Sequence, residues 1–174
     1  MSQLQRITVA LEQLQENQIF LTQEQKHYLL RVLRLQSGDK FIAMDGQGSG
    51  WVTQLAGQEA NILESLELKT ELPVAITLIT ALPKGNGFDD VVRACTEIGV
   101  TCIAPVTSDR TLLNPSSQKL ERWQRIAKEA AEQSERAIVP TILSPVTFLS
   151  FLSSDLSLSA QSKFICEARG DYPH

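Results

Sequence analysis

The sequence predicts an α/β protein in two parts, a small β-rich unit followed by a parallel-sheet unit. Three observations carry that expectation. Val74 to Leu82 is a continuous apolar and Thr run, rich in β-branched residues, which suits a strand buried on both faces of a parallel sheet. Pro83-Lys84-Gly85-Asn86-Gly87 breaks the run, Phe88 to Ile98 is apolar at helical spacing, and Cys102 to Val106 reads as the next strand. Val74–Val106 is therefore a βαβ unit. Before Pro73, by contrast, short alternating runs are separated by Gly-rich turns, the pattern of hairpins.

In order along the chain, residues 4 to 9 alternate and suit an opening strand. Thr22 followed by Gln25 has capping-box spacing, and a helix is expected after it with Leu29, Leu30 and Leu33 on one side. His27, Arg31 and Arg34, spaced i, i+4 and i+7, share another side. Ser37-Gly38-Asp39 ends the helix. Phe41 to Met44 and Trp51 to Leu55 then read as a hairpin around Asp45–Gly50, and Ile62 to Leu68 as a further strand. That loop joins two strands and precedes no helix, so it is no phosphate cradle. Pro73 marks the boundary, giving units of 1–72 and 73–174.

In the second unit, Asp89 and Asp90 favour the start of the crossover helix and Gly99 its stop. Thr107 to Ser117 is a polar loop holding Arg110. Lys119 to Arg136 is a helix whose apolar side is Leu120, Trp123, Ala127, Ala130 and Ala131, laced with opposite charges at i,i+4 that include Glu132–Arg136. Ile138 to Ile142 suits a short strand and Val146 to Leu152 a short helix. Ser153 to Ser162 reads as a surface loop, and Lys163 to Glu167 as a third strand of the parallel sheet.

Composition narrows the function. No apolar run approaches the roughly 20 residues of a membrane span, and the N-terminus has no signal-peptide core, so a cytoplasmic protein is expected. Cys95, Cys102 and Cys166 lack CxxC spacing and lie in apolar segments, which implies buried free thiols. With only His27 and His174 as imidazoles, a zinc centre is not expected. The net charge of −4 is spread over both halves, with 6 basic and 9 acidic residues up to position 72 and 10 and 11 after it. Bulk charge thus gives nucleic-acid binding no support, and any such role rests on local patches. His27, Arg31 and Arg34 form one such patch. Read from the residues alone it is either a solvated basic face or a phosphate-contacting stripe, since each arginine can make bidentate contacts.

Four stretches in this order, HYLLRVLRLQSGDKFIAMDGQG, ALPKGNGFDDVVRACTEIGV, IAPVTSDRT and ERWQRIAKEAAEQSER, give the chain a resemblance to the RsmE family. These are ribosomal RNA methyltransferases that act on N3 of a uridine in small-subunit (16S) rRNA. The resemblance implies a PUA-like RNA-binding domain and a SPOUT-class, trefoil-knot methyltransferase domain. It also implies S-adenosyl-L-methionine as methyl donor, small-subunit ribosomal RNA as partner, and a homodimer. Arg31 and Arg34 match the family's VLRL helix, Lys84 the lysine after the first catalytic-domain strand, and Glu97 the acidic residue before Gly-Val. Glu132, Gln133 and Arg136 match its EQxxR cluster, and Cys166, Glu167 and Ala168 its first cofactor loop. The family pattern continues into a GPEGG loop and an LGxR segment that form most of the cofactor pocket, and neither occurs in these 174 residues. The SPOUT domain is therefore expected to be truncated, and this polypeptide by itself to bind the cofactor poorly.

Methylating N3 requires displacing its proton and stabilising charge on the uracil oxygens. Arg136 and Gln133 suit substrate positioning, with Arg110 a further candidate. Glu132 could act as base only with a raised pKa, which its i,i+4 cations oppose. Lys84 is expected to contact RNA or substrate. Two other readings stay open: a catalytically silent RNA-binding protein, and a nucleotide-binding α/β protein using PKGNG, which lacks both P-loop and GxGxxG spacing.

Overall fold

The computed structural model describes residues 4–108, 111 and 115–166. Its N-terminal part is a six-stranded sheet in the order β1-β4-β5-β6-β3-β2. The strands are β1 (Arg6–Thr8), β2 (Leu14–Gln15), β3 (Gln18–Ile19), β4 (Lys40–Met44), β5 (Ser49–Ala56) and β6 (Glu59–Glu67). Only the β1–β4 pair is parallel. Ile7, Val9, Ile19, Leu21, Leu29, Phe41, Ala43, Leu55 and Ala60 fill its core. The expected hairpin is the β4–β5 pair. A 3₁₀ turn at Leu11–Gln13 and the short strands β2 and β3 fill the stretch before the helix.

The helix α1 (Gln23–His27) begins at the expected capping box. Gln25 N–H donates to Thr22 Oγ1 at 3.2 Å, and Thr22 N–H to Gln25 Oε1 at 2.8 Å. It then widens into a π-turn, Tyr28–Val32, closed by Leu33 N–H donating to Tyr28 O at 2.9 Å. Arg34 follows in the left-handed region at φ 57°, and Leu35 N–H reaches back to Leu29 O.

The C-terminal part is a four-stranded parallel sheet. It is made of β7 (Thr77–Ala81), β8 (Cys102–Thr107), β9 (Thr141–Ile142) and β10 (Val146–Thr147). β7, α2 (Gly87–Glu97) and β8 form the βαβ unit, with Gly99 at φ +103° ending α2. Behind the sheet, α2 packs on α3 (Ser117–Gln133) around Phe88, Val92, Ile103, Trp123, Ile126 and Ala127. Asp89 fastens the two helices. It is buried and accepts from Trp123 Nε1 at 3.1 Å and Arg122 Nε at 2.9 Å, while Phe88 and Trp123 stack with centroids 4.4 Å apart.

Four expectations are corrected. The run at Val74 is not buried on both faces: Val74 and Ile76 are exposed and precede the strand, and Ile79 is 38% exposed. β7 pairs only with β8 among the described residues, so one edge is open, and the opposite sheet face is covered only in part, by Phe151 of α4 (Phe148–Leu152). Residues 163–166 form no strand. Phe164 and Ile165 are 89% and 91% exposed, because a parallel strand is stable only with covered faces and none of the described residues covers this segment. The Ser-rich stretch contains a capped helical turn, α5 (Asp155–Leu158). Finally, Cys166 is exposed, whereas Cys95 and Cys102 are half-buried; all three are free thiols. No described helix is long and apolar enough to cross a membrane.

Candidate nucleic-acid interface and inter-unit seam

The basic face of the first unit takes its shape from the π-turn. A cleft of about 230 Å³ opens beside α1, lined by Gln23, Lys26, His27, Leu30, Arg31 and Gln58. His27 and Arg31 are brought together as their spacing requires. Arg34 is not part of this lining. The π-turn and the left-handed conformation at Arg34 turn the chain off the helical path, so the i+7 position no longer continues the row. Lys26 takes its place, a residue the spacing argument missed because it stands one position before His27. Among the described residues, none of Lys26, His27, Arg31 and Arg34 has a carboxylate oxygen within 4 Å. Arg6, Lys69, Arg93, Arg122, Arg125 and Arg136 all have one. The cations Lys26, Arg31 and Arg34 thus remain available to an anion from outside, with the His27 imidazole beside two of them.

The EQxxR cluster lies elsewhere. α3 stops at Gln133, Glu135 is left-handed at φ 61°, and Arg136 N–H closes a Schellman turn on Ala131 O at 2.9 Å. Arg136 has therefore left the helix and does not pair with Glu132. Its side chain is buried, with Nη2 donating to Glu71 Oε2 at 2.5 Å and Nη1 to Thr96 O at 3.0 Å and Val100 O at 2.7 Å. Glu71 also accepts from Ala137 N–H at 2.8 Å and Ile138 N–H at 3.1 Å. Burial pushes the Glu71 carboxyl upward, but the Arg136 guanidinium and these two N–H groups outweigh it and hold the pKa below its usual value.

Glu132 faces the first unit. Its Oε1 accepts from Thr8 N–H at 2.6 Å. Burial raises its pKa against the opposing pull of Thr8 N–H and Lys128, so the direction that base chemistry needs is present, on a carboxylate already engaged by Thr8. The Tyr28 hydroxyl is pushed up as well, first by burial and then by Glu132 and Glu129, which places the π-turn beside this seam. Arg6 closes another part of it with Glu135, at 2.6 Å. Past Arg136 the chain pairs with the β4–β5 loop: Val139 N–H donates to Gly46 O at 2.9 Å and Gly48 N–H to Ala137 O at 3.2 Å. Arg136 and Glu132, the candidates for substrate positioning and base, therefore stand in this seam. Both are spent on joining the two units.

Gln133 is exposed at the end of α3, Lys84 is exposed in the loop after β7, and Glu97 is exposed at the end of α2. Cys166 lies in an exposed segment without regular structure, and Arg110, Glu167 and Ala168 fall outside the described residues. The described residues at 161–166 build no cradle that fits S-adenosylmethionine. No group of three or more His, Cys, Asp or Glu suited to a metal occurs among the described residues.

Residues 70–174 match the family described as RNA methyltransferase domain, and residues 21–61 the one described as RNA methyltransferase PUA domain. The chain is 51% identical over 84% of its length to ribosomal RNA small subunit methyltransferase E of Synechocystis, and 29% identical over 84% to that of Bacillus subtilis. It spans 50% and 61% of those two relatives, about half their length. A crystal structure of ribosomal RNA small subunit methyltransferase E from Neisseria gonorrhoeae, bound to S-adenosyl methionine, superposes with a TM-score of 0.80. That match, at 29% identity, covers 87% of this chain and 66% of the other. A Legionella pneumophila methyltransferase at 24% identity shares the fold, with a TM-score of 0.79.

Proposed function

The chain belongs to the RsmE family of RNA methyltransferases, a SPOUT-type domain preceded by a PUA-like one, and we propose that it methylates N3 of a uridine in small-subunit ribosomal RNA. In this reading residues 1–72 bind RNA and 73–174 belong to the methyltransferase domain of a cytoplasmic homodimer. S-adenosyl-L-methionine supplies the methyl group when bound. The observation that carries the proposal is the superposition, across 87% of this chain, on a relative that holds that cofactor.

This chain's own contribution is RNA binding and orientation. Lys26 and Arg31 present unpaired positive charge beside the His27 imidazole, Arg34 adds to it outside the cleft, and Lys84 and Gln133 are exposed candidates for contact near the target base. The seam through Glu132, Arg136 and Glu71 fixes the RNA-binding face relative to the methyltransferase sheet, so that a bound RNA is offered in one orientation. The test is transfer of labelled methyl groups from S-adenosylmethionine to small-subunit rRNA, followed by nucleoside mass spectrometry. 3-Methyluridine is the expected product. A second reading, RNA binding without catalysis by these 174 residues, is favoured by the exposure of Phe164 and Ile165 at the expected cofactor strand. RNA binding with no methyl transfer selects it.

A further inference from the structure

We infer that the cleft beside α1 holds a single phosphate–ribose unit of the RNA backbone, with the phosphate on Lys26, His27 and Arg31 and the ribose between Gln23 and Gln58. This rests on the RNA-binding reading above and adds to it a defined subsite and three residues, Lys26, Gln23 and Gln58, to which the sequence assigned no role.

The lining matches that ligand group by group. Arg31 offers a planar fork for two phosphate oxygens, and Lys26 a compact point charge with three donors. Leu30 supplies an apolar floor of the kind a ribose ring rests on. The Gln23 and Gln58 amides each donate and accept, as a 2′-hydroxyl does. Glu24 and Glu59, next in sequence to lining residues, do not themselves line the cleft. The volume of about 230 Å³ lies below the roughly 300 Å³ at which pockets for whole drug-sized ligands begin. Gln23, His27, Arg31 and Gln58 are all exposed, so a polymer can pass through. The lining contains no Phe, Tyr or Trp, and its one ring, His27, is taken up by the phosphate, so the subsite grips backbone and leaves sequence unread.

The mount is rigid. Gln25, between Gln23 and Lys26 in the chain, is buried and bonded to Thr22, Gln13 and Thr8 O, and Leu29 is fully buried in the core. The backbone that carries Gln23, Lys26, His27 and Arg31 therefore needs little further ordering on binding.

The test uses the full chain and a fluorescent transcript of small-subunit rRNA, read by anisotropy across a salt series. Lys26→Gln and Arg31→Gln are each expected to weaken binding several-fold and to lower the log–log salt slope by about one. Lys40→Gln, an exposed charge on β4 outside the cleft, is expected to leave both near the wild-type values. Gln58→Ala is expected to narrow the preference for RNA over DNA of the same sequence; an unchanged preference overturns the ribose contact. If the wild type binds RNA and the two cleft variants behave like Lys40→Gln, the subsite is wrong and the RNA-binding reading stands. If the wild type does not bind RNA, that reading fails and the subsite with it.

Discussion

Glu132 and Gln25 grip opposite sides of one residue: Thr8 donates its N–H to Glu132 Oε1 at 2.6 Å, and its carbonyl accepts from Gln25 Nε2 at 2.9 Å. Gln25 is the capping-box residue of α1 and Glu132 lies in the last turn of α3. Two hydrogen bonds through a strand end therefore connect the methyltransferase helix to the helix that carries the cationic cleft.

Removing the Glu132 acceptor should loosen that connection. Glu132→Ala is expected to cost about 1–3 kcal/mol in urea unfolding, because it leaves the Thr8 N–H unpaired. It should also speed hydrogen exchange at Thr8. Glu132→Gln keeps an acceptor and should be tolerated. Since burial raises the folded-state pKa, the folded protein holds this proton more tightly than the unfolded chain does. The stability from this group is full below the ordinary glutamate pKa and is lost as pH rises through the raised value. Glu132→Gln should flatten the profile in that window; an identical slope in the variant refutes the assignment.

Glu71 has the opposite sign. Its pKa is held down, so its stabilisation is present above the ordinary glutamate value and disappears as pH falls through the lowered one. Arg136→Ala strands the Glu71 carboxylate in a mostly buried site and is expected to cost about 3–5 kcal/mol. Thermal melts of Arg136→Ala and Arg136→Lys check this. Lysine should recover only part of the loss, since it lacks the fork that reaches Glu71, Thr96 O and Val100 O together.

Gly46 gives a test of the close approach between the two units. Its φ is +71°, and a Cβ there would stand 2.9 Å from Val139 Cγ2. Gly57, at φ +66°, has nothing within 4 Å of the same position. Both alanine variants should lose about 1 kcal/mol to the left-handed backbone, and Gly46→Ala should lose more. Val139→Ala in the same chain should restore part of that excess. Equal melting temperatures for the two glycine variants would argue against the contact.

The open sheet face makes a spectroscopic prediction. Ile79, Phe148, Leu149 and Leu152 are exposed in the second unit, where a parallel sheet is normally covered on both sides. The folded chain should bind anilinonaphthalene sulfonate, with enhanced and blue-shifted fluorescence. Ile79→Ser should reduce the signal without lowering the melting temperature much.

What was legible in the sequence was local. Thr22 and Gln25 cap a helix within one turn, Gly99 stops one, and the strand–loop–helix–strand order of β7, α2 and β8 follows from apolar spacing alone. The site was harder because its bonds are remote. Arg136 and Glu71 stand 65 residues apart, and Asp89 and Trp123 stand 34 apart. No periodicity links such pairs, so Arg136 read as an i,i+4 partner of Glu132 and Asp89 as a dipole residue. The cationic row failed at Arg34 for a different reason. A regular 3.6-residue period was assumed across residues 28–32, and the π-turn breaks it. Lys163 to Cys166 has the composition of a strand, but composition does not supply the neighbours a strand needs.

A π-turn amounts to an α-helix carrying one surplus residue. Within Tyr28–Val32 that surplus reconciles two demands: His27 and Arg31 line the cleft, while Leu33 and Leu35 pack onto the sheet. Losing one codon from this segment would restore an unbroken α-helix and turn everything after it by about 100° relative to what precedes it. Either the leucines or the cations would then face the wrong way. Point substitutions at exposed Val32 should be absorbed, whereas a single-residue deletion there should abolish RNA binding or folding. The segment is tolerant of spelling and intolerant of length.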